Sequence, residues 1–107
     1  MHSKSQVATS VTVNNTTKFT DEFDISSLYG FAVSVGVVGA SINLSIQPQV
    51  SNNGVDWFDV ATAQTITATG SRGFNVVEQH WSRARIKLVE SGSNDAVVVA
   101  HFNGKCL

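Results

Sequence analysis

The 107-residue sequence predicts an all-β fold, an antiparallel β-sandwich of the jelly-roll or Ig-like kind with about eight or nine short strands. Three observations lead there. Ile42, Leu44, Ile46, Pro48 and Val50 alternate with Asn43, Ser45, Gln47, Gln49 and Ser51, a period of two that gives a strand one apolar and one polar face. Turn signals rich in Gly, Asn and Ser recur about every ten residues between runs of this kind. No stretch carries a helical period of useful length. The expected organisation is a flexible N-terminal arm at residues 1–10 and a single β-sandwich domain at residues 11–107.

The elements follow in order. Residues 1–10 are polar and patternless, hence the arm. Val11 to Val13 reads as a short strand and Asn14-Asn15 as a turn; Lys18 to Phe23 reads as a second strand with Phe19 and Phe23 as core anchors. DISSLY, Asp24 to Tyr29, is long enough for one helical turn or a loop. Phe31, Val33, Val35 and Val37 alternate within Gly30 to Val38, a central buried strand. Gly39-Ala40-Ser41 turns into the Ile42 strand, Asn53-Gly54 supplies the positive φ angles of a type I′ hairpin, and Trp57, Phe58 and Val60 return. Residues 30–60 are therefore expected as three consecutive antiparallel strands. Pro48 has no N–H, so an edge or a bulge is expected beside it.

Beyond the hairpin, Gln64 to Ala68 alternates like an edge strand, and Gly70-Ser71-Arg72-Gly73 reads as a flexible loop before a strand from Phe74 to Val77. From Arg83 to Val89 the apolar set Ala84, Ile86 and Leu88 faces one way, with Arg83, Arg85 and Lys87 opposite. Glu90 to Asp95 is a turn, Ala96 to Phe102 the last strand, and Asn103-Gly104 a terminal turn.

Composition bounds the function. Charged residues make up 14% of the chain against the usual quarter, so much of its surface is neutral and polar or covered by neighbours. A net charge of −1 argues against direct nucleic-acid binding, which needs a marked basic excess. No apolar run nears the roughly 18 residues that span a bilayer, and MHSKSQVATS lacks the apolar core of a secretory signal. No membrane role is expected, and folding is expected in the cytoplasm where the chain is made.

Reaction chemistry is sparse. Cys106 is the single cysteine, which excludes an internal disulfide. A pairing of His101 with Cys106 lacks a visible orienting group or oxyanion donor, and His2 lies in the arm. No HxH, HExxH or CxxC spacing occurs, so neither metal nor cofactor is expected and the chain does not read as an enzyme. Asn52, Asn53, Asp56 and Asp59 crowd oxygens around a turn, but two acids without DxDxDG spacing fit turn capping better than calcium. Arg83, Arg85 and Lys87 form a basic stripe, either the solvated face of an amphipathic strand or a dock for an acidic partner. Trp57 and Phe58 are adjacent on a strand, so one of them points outward. With Tyr29 and Trp81, the rings are also candidates for a sugar-stacking platform. Candidate partner-binding residues are thus Arg83, Arg85, Lys87 and Trp57.

The runs QVSNNGVDWFDV and FNVVEQHWSRARIKLVESGSNDAVVVAHFNGK, with a TIT strand between them, resemble a recurrent pattern in small β-sandwich proteins of tailed bacteriophages. That pattern is an SNDGxxW hairpin, an aromatic-R-x-R-hydrophobic strand and a final valine-rich strand; Asn53 stands where it commonly has Asp. The resemblance, over about residues 30–105, implies a capsid decoration (cement) or accessory virion protein. Its implied partner is the major capsid protein, its implied state a homo-oligomer, often a trimer, and its implied location the capsid surface of the virion. The hairpin is also similar to those of discoidin-like and carbohydrate-binding jelly rolls, so a sugar-binding module or a tail or neck component of the virion is the alternative. The shared positions shape turns and core, so no binding residue carries over. On this reading residues 1–13 and one sheet edge act as clasps between capsid subunits, and deleting residues 1–10 lowers particle occupancy without unfolding the domain.

Overall fold

The computed structural model describes residues 3–7, 10–77 and 79–105. Among them are eleven strands: β1 (Ser3–Val7), β2 (Val11–Val13), β3 (Thr16–Phe19), β4 (Phe23–Asp24), β5 (Gly30–Val38), β6 (Leu44–Ser51), β7 (Phe58–Asp59), β8 (Gln64–Ile66), β9 (Gly70–Val76), β10 (Arg83–Glu90) and β11 (Ala96–Lys105). They form two antiparallel sheets, so the expected β-sandwich is the fold.

The count exceeds the expected eight or nine because three rows are each interrupted. β1 and β2 lie on the same side of β11, against residues 101–105 and 96–98. β3 and β4 likewise share one flank of β10, and β7 and β8 one flank of β6. Merged, each sheet has four rows: β1/β2–β11–β5–β9 and β3/β4–β10–β6–β7/β8. Taken in chain order, the rows alternate between sheets except for the single hairpin from β6 to β7/β8. That is the order of a jelly roll, which decides between the two sandwiches the sequence allowed.

Alternation explains the core. Phe31, Val33, Val35 and Val37 of β5 face Leu44 and Ile46 of β6 and Ala84, Ile86 and Leu88 of β10 across the sandwich, all buried. Phe23 and Phe102 stack within it with ring centroids 5.0 Å apart. Gly104, inward on β11, leaves the room that Leu28 fills; a Cβ there would overlap the Leu28 side chain.

Pro48 sits within the sheet without breaking it. Ile86, its partner on β10, directs its N–H and C=O to Thr20 instead, at 2.9 and 3.0 Å. Pro48 therefore turns its missing donor away from β10, toward the gap between β7 and β8, where its carbonyl accepts the Val60 N–H at 3.0 Å. The local edge expected beside the proline is this gap.

Several expectations change. Ser3–Val7, placed in the arm by its polarity, pairs with Lys105–His101 as the outer strand of its sheet, because a backbone ladder needs no apolar side chain. β5 and β6 are not hairpin partners; Gly39–Ser41 carries the chain between sheets, with Ser41 at φ 53. Gly70–Gly73 is strand, paired with Gly36 and its neighbours on an exposed edge, where glycine costs little packing. Asn103-Gly104 continues β11 rather than turning. Asn53-Gly54 is no two-residue turn: only Gly54 has positive φ, at 75. The connection spans residues 52–57, with Ser51 Oγ accepting from the N–H groups of Asn53 and Gly54, and Asn53 Oδ1 from those of Val55 and Asp56.

Two buried polar residues close the loop ends. Glu90, expected in a turn, ends β10 facing inward and is almost wholly buried. Its carboxylate accepts the N–H groups of Asn43 at 2.9 Å, Asn15 at 2.8 Å and Gly92 at 2.8 Å, tying three loops at one end. Those donors, Asn43 foremost, hold its pKa below the ordinary glutamate value against the opposing effect of burial. Gln79 does the same at another corner. Its Nε2 donates to Ile25 O at 2.8 Å and Leu28 O at 2.6 Å, and its Oε1 accepts the Trp81 N–H at 2.6 Å.

Candidate partner-binding face

The outer face of the six-stranded sheet gathers the four candidate residues. Register fixes which side chains share it. Phe19 stands opposite Lys87, Lys87 opposite Gln47, Arg85 opposite Gln49 and Gln49 opposite Asp59, all outward because their neighbours Ile86, Leu88, Ile46 and Val50 face the core. Trp57, two residues before Asp59, enters from the adjoining loop on the same side.

Arg85 is the centre. Its guanidinium carbon lies 3.9 Å from the Phe19 ring centroid and 4.0 Å from that of Trp57. Phe19 comes from β3 on one flank of β10 and Trp57 from the loop before β7, beyond β6 on the other flank, so the guanidinium lies between them. Nε donates to Gln49 Oε1 at 3.0 Å, and Gln49 Nε2 donates to Asp59 Oδ1 at 3.0 Å, which fixes the arginine and the amide together. Burial beneath the rings lowers the Arg85 pKa from its ordinary value, an effect Glu22 opposes. The group stays cationic, as arginine does in proteins. Contact with two π faces is worth about 0.5–1 kcal/mol each at such a surface.

Around this clamp the charges differ. Arg83 pairs with Glu22 at 2.8 Å, both half-exposed, a contact worth at most about 1 kcal/mol. Lys87 has no ion-pair partner among the described residues. At the far end Asp24 is held below the usual carboxylate range, chiefly by the Ser26 N–H and hydroxyl and then by Lys4 and Arg83.

The polar face of β6 is only partly wet. Gln49 and Ser51 are buried, and Gln47 turns its amide onto the carbonyls of Pro48, Val60 and Ala61, because the β6–β8 segment folds back over them. Phe19, expected in the core, is 42% exposed, since its register with Lys87 turns it outward. Neither Trp57 nor Phe58 reaches the core. Phe58 shares the inward side of Val50 but lies at the open edge, 53% exposed, with its ring 5.4 Å from that of Trp81.

The remaining candidates scatter. Asn52 accepts from Ser82, and Asn53 and Asp56 bond each other, so these oxygens serve the loop itself. His101 faces outward from the other sheet, exposed, while His2 and Cys106 lie outside the described residues. Among the described residues no group of three His, Cys, Asp or Glu is placed to hold a metal, and no helix is long and apolar enough to cross a membrane. The missed member of the site is Phe19. Its four-residue spacing from Phe23 put both on one face by strict alternation, but Thr20 takes the inward place and the face changes before Phe23, as the β3 and β4 registers with β10 reveal.

No protein-family model and no curated protein matches the sequence. Solved structures do share the fold over nearly the whole of both chains. PirA aligns with a TM-score of 0.64 at 17% identity, covering 89% of this chain and 92% of that one. A protein of the Bacillus endospore appendages, described as a novel family of disulfide-linked pili, aligns with a TM-score of 0.59 at 13% identity, covering 98% and 89%. The SPBc2 prophage-derived protein YomS gives 0.52 at 11% identity, covering 95% and 96%.

Proposed function

We propose that this chain is a structural virion protein that binds the assembled phage capsid surface and stabilises it by bridging neighbouring capsid subunits. The observation that carries the reading is the Arg85 clamp. An arginine fixed between two rings on an open sheet face, beside a lysine with no ion-pair partner among the described residues, is the composition of an interface anchor, in which Trp and Arg are over-represented. The phage-like sequence pattern supports it, as does a fold shared with a prophage-derived protein and a pilus protein. The partner is the major capsid protein, the working unit a homo-oligomer, and the location the virion exterior. The chain works by contact and catalyses no reaction. Contacts available only on the finished shell stabilise that shell by mass action.

The test is co-sedimentation of the purified protein with capsids, comparing wild type with the charge reversal Lys87→Glu. Saturable binding by wild type and at least a ten-fold weaker interaction for K87E are expected. Equal binding by the two, or none by either, defeats the docking reading.

Phe58 and Trp81 favour a second reading. Phe58, exposed at the sheet edge and backed by the partly buried Trp81 ring, offers a stacking surface for a sugar. A glycan array hit lost in Phe58→Ala would establish a carbohydrate-binding module instead.

A further inference from the structure

We infer that the Arg85 clamp is a receptor for a carboxylate side chain of a protein partner, which enters edge-on between Phe19 and Trp57. This deepens the docking reading, on which it rests, by naming the group that is recognised. The Phe19 and Trp57 ring centroids lie 3.9 and 4.0 Å from the guanidinium carbon, and the remaining donors are the N–H bonds in the guanidinium plane. Nε is committed to Gln49. Among the described residues no acceptor is hydrogen-bonded to either Nη, which leaves a planar donor edge without a partner among them.

Asp59 accepts from Gln49 and Glu22 from Arg83, so neither is hydrogen-bonded to an Arg85 Nη. Lys87, two residues along the same face, adds positive charge beside the opening. A carboxylate is planar and meets guanidinium in a coplanar, bidentate pair, so it continues the slot between the rings. A tetrahedral phosphate places oxygens above and below that plane, where the rings stand. A polynucleotide needs a longer cationic track than Arg85 and Lys87 supply on a chain of net charge −1. The rings would then cover the methylene stem of the entering side chain, excluding water from the ion pair.

The probe is the capped tripeptide N-acetyl-Gly-Glu-Gly-amide, titrated at fixed ionic strength and followed by NMR at the Arg85 Nε–H and the Trp57 indole N–H. Its Gln counterpart, inorganic phosphate and glucuronic acid are titrated in parallel. Saturable shifts at both resonances are expected with the Glu peptide, and at least five-fold weaker binding with each of the other three. Arg85→Lys keeps the charge and loses the fork, so its affinity for the Glu peptide should fall at least five-fold. The comparison among the four probes uses the wild-type protein and stands even if R85K misfolds. An equal response to the Gln peptide or to phosphate, or no response to any probe, overturns the assignment; preference for glucuronic acid overturns the protein carboxylate in favour of a sugar acid. Failure here leaves capsid co-sedimentation free to succeed through other contacts, so the two readings fail separately.

Discussion

Replacing Gln79 probes how the loop Ile25–Tyr29 is held beside Trp81. In Gln79→Ala the Leu28 carbonyl and the Trp81 N–H lose their partners, whereas Ile25 O keeps the Leu28 N–H at 3.0 Å. Two orphaned groups at about 1–3 kcal/mol each, one of them only partly buried, give an expected loss of about 2–4 kcal/mol. For a domain of this size that lowers Tm by about 10–25 °C. Gln79→Glu is the sharper perturbation. It keeps the acceptor toward Trp81 but sets a carboxylate oxygen against two carbonyls, so at neutral pH it should cost more than the alanine. Protonation restores one donor. The folded state then binds the proton more tightly than the unfolded chain, so this variant's deficit shrinks as pH falls and grows as it rises. Thermal and urea unfolding of the three proteins between pH 4 and 8 measures this. Equal deficits for Q79E and Q79A at every pH, or both variants within about 0.5 kcal/mol of wild type, would refute the bonding scheme.

Two further outcomes follow from buried positions. Glu90 has a folded pKa depressed by the N–H groups of Asn43, Asn15 and Gly92, so its contribution is present above the unfolded glutamate pKa and lost as pH falls through the folded value. Wild-type Tm should therefore drop below about pH 4.5 more steeply than that of Glu90→Gln, and parallel curves would contradict this role. Gly104→Ala should cost about 1–3 kcal/mol by crowding Leu28, and much less in a Leu28→Ala background. Additive costs in that cycle would show that the two do not share the space.

The core was legible because period-two alternation is a property of the chain itself: Phe31, Val33, Val35 and Val37 are buried as their spacing dictates. What the sequence concealed depends on partners. Ser3–Val7 and Gly70–Gly73 are strands by virtue of backbone ladders to β11 and β5, and polar or glycine-rich segments carry no local sign of that. Glu90 and Gln79 look like surface residues until three loops close around one and two carbonyls face the other. The basic stripe and Trp57 were visible, but their meeting was not. It needed the register of β3, β10 and β6, which brings Phe19 and Trp57 to opposite sides of Arg85.

If the docking proposal holds, this chain is a stoichiometric part of a virion surface. Quantitative mass spectrometry of gradient-purified virions from the host that makes it tests this most directly. A fixed ratio to the major capsid protein, near one copy per capsid subunit, is the expected result. A few copies per particle would place the chain in a tail or neck, and its absence from purified particles would rule out a virion role.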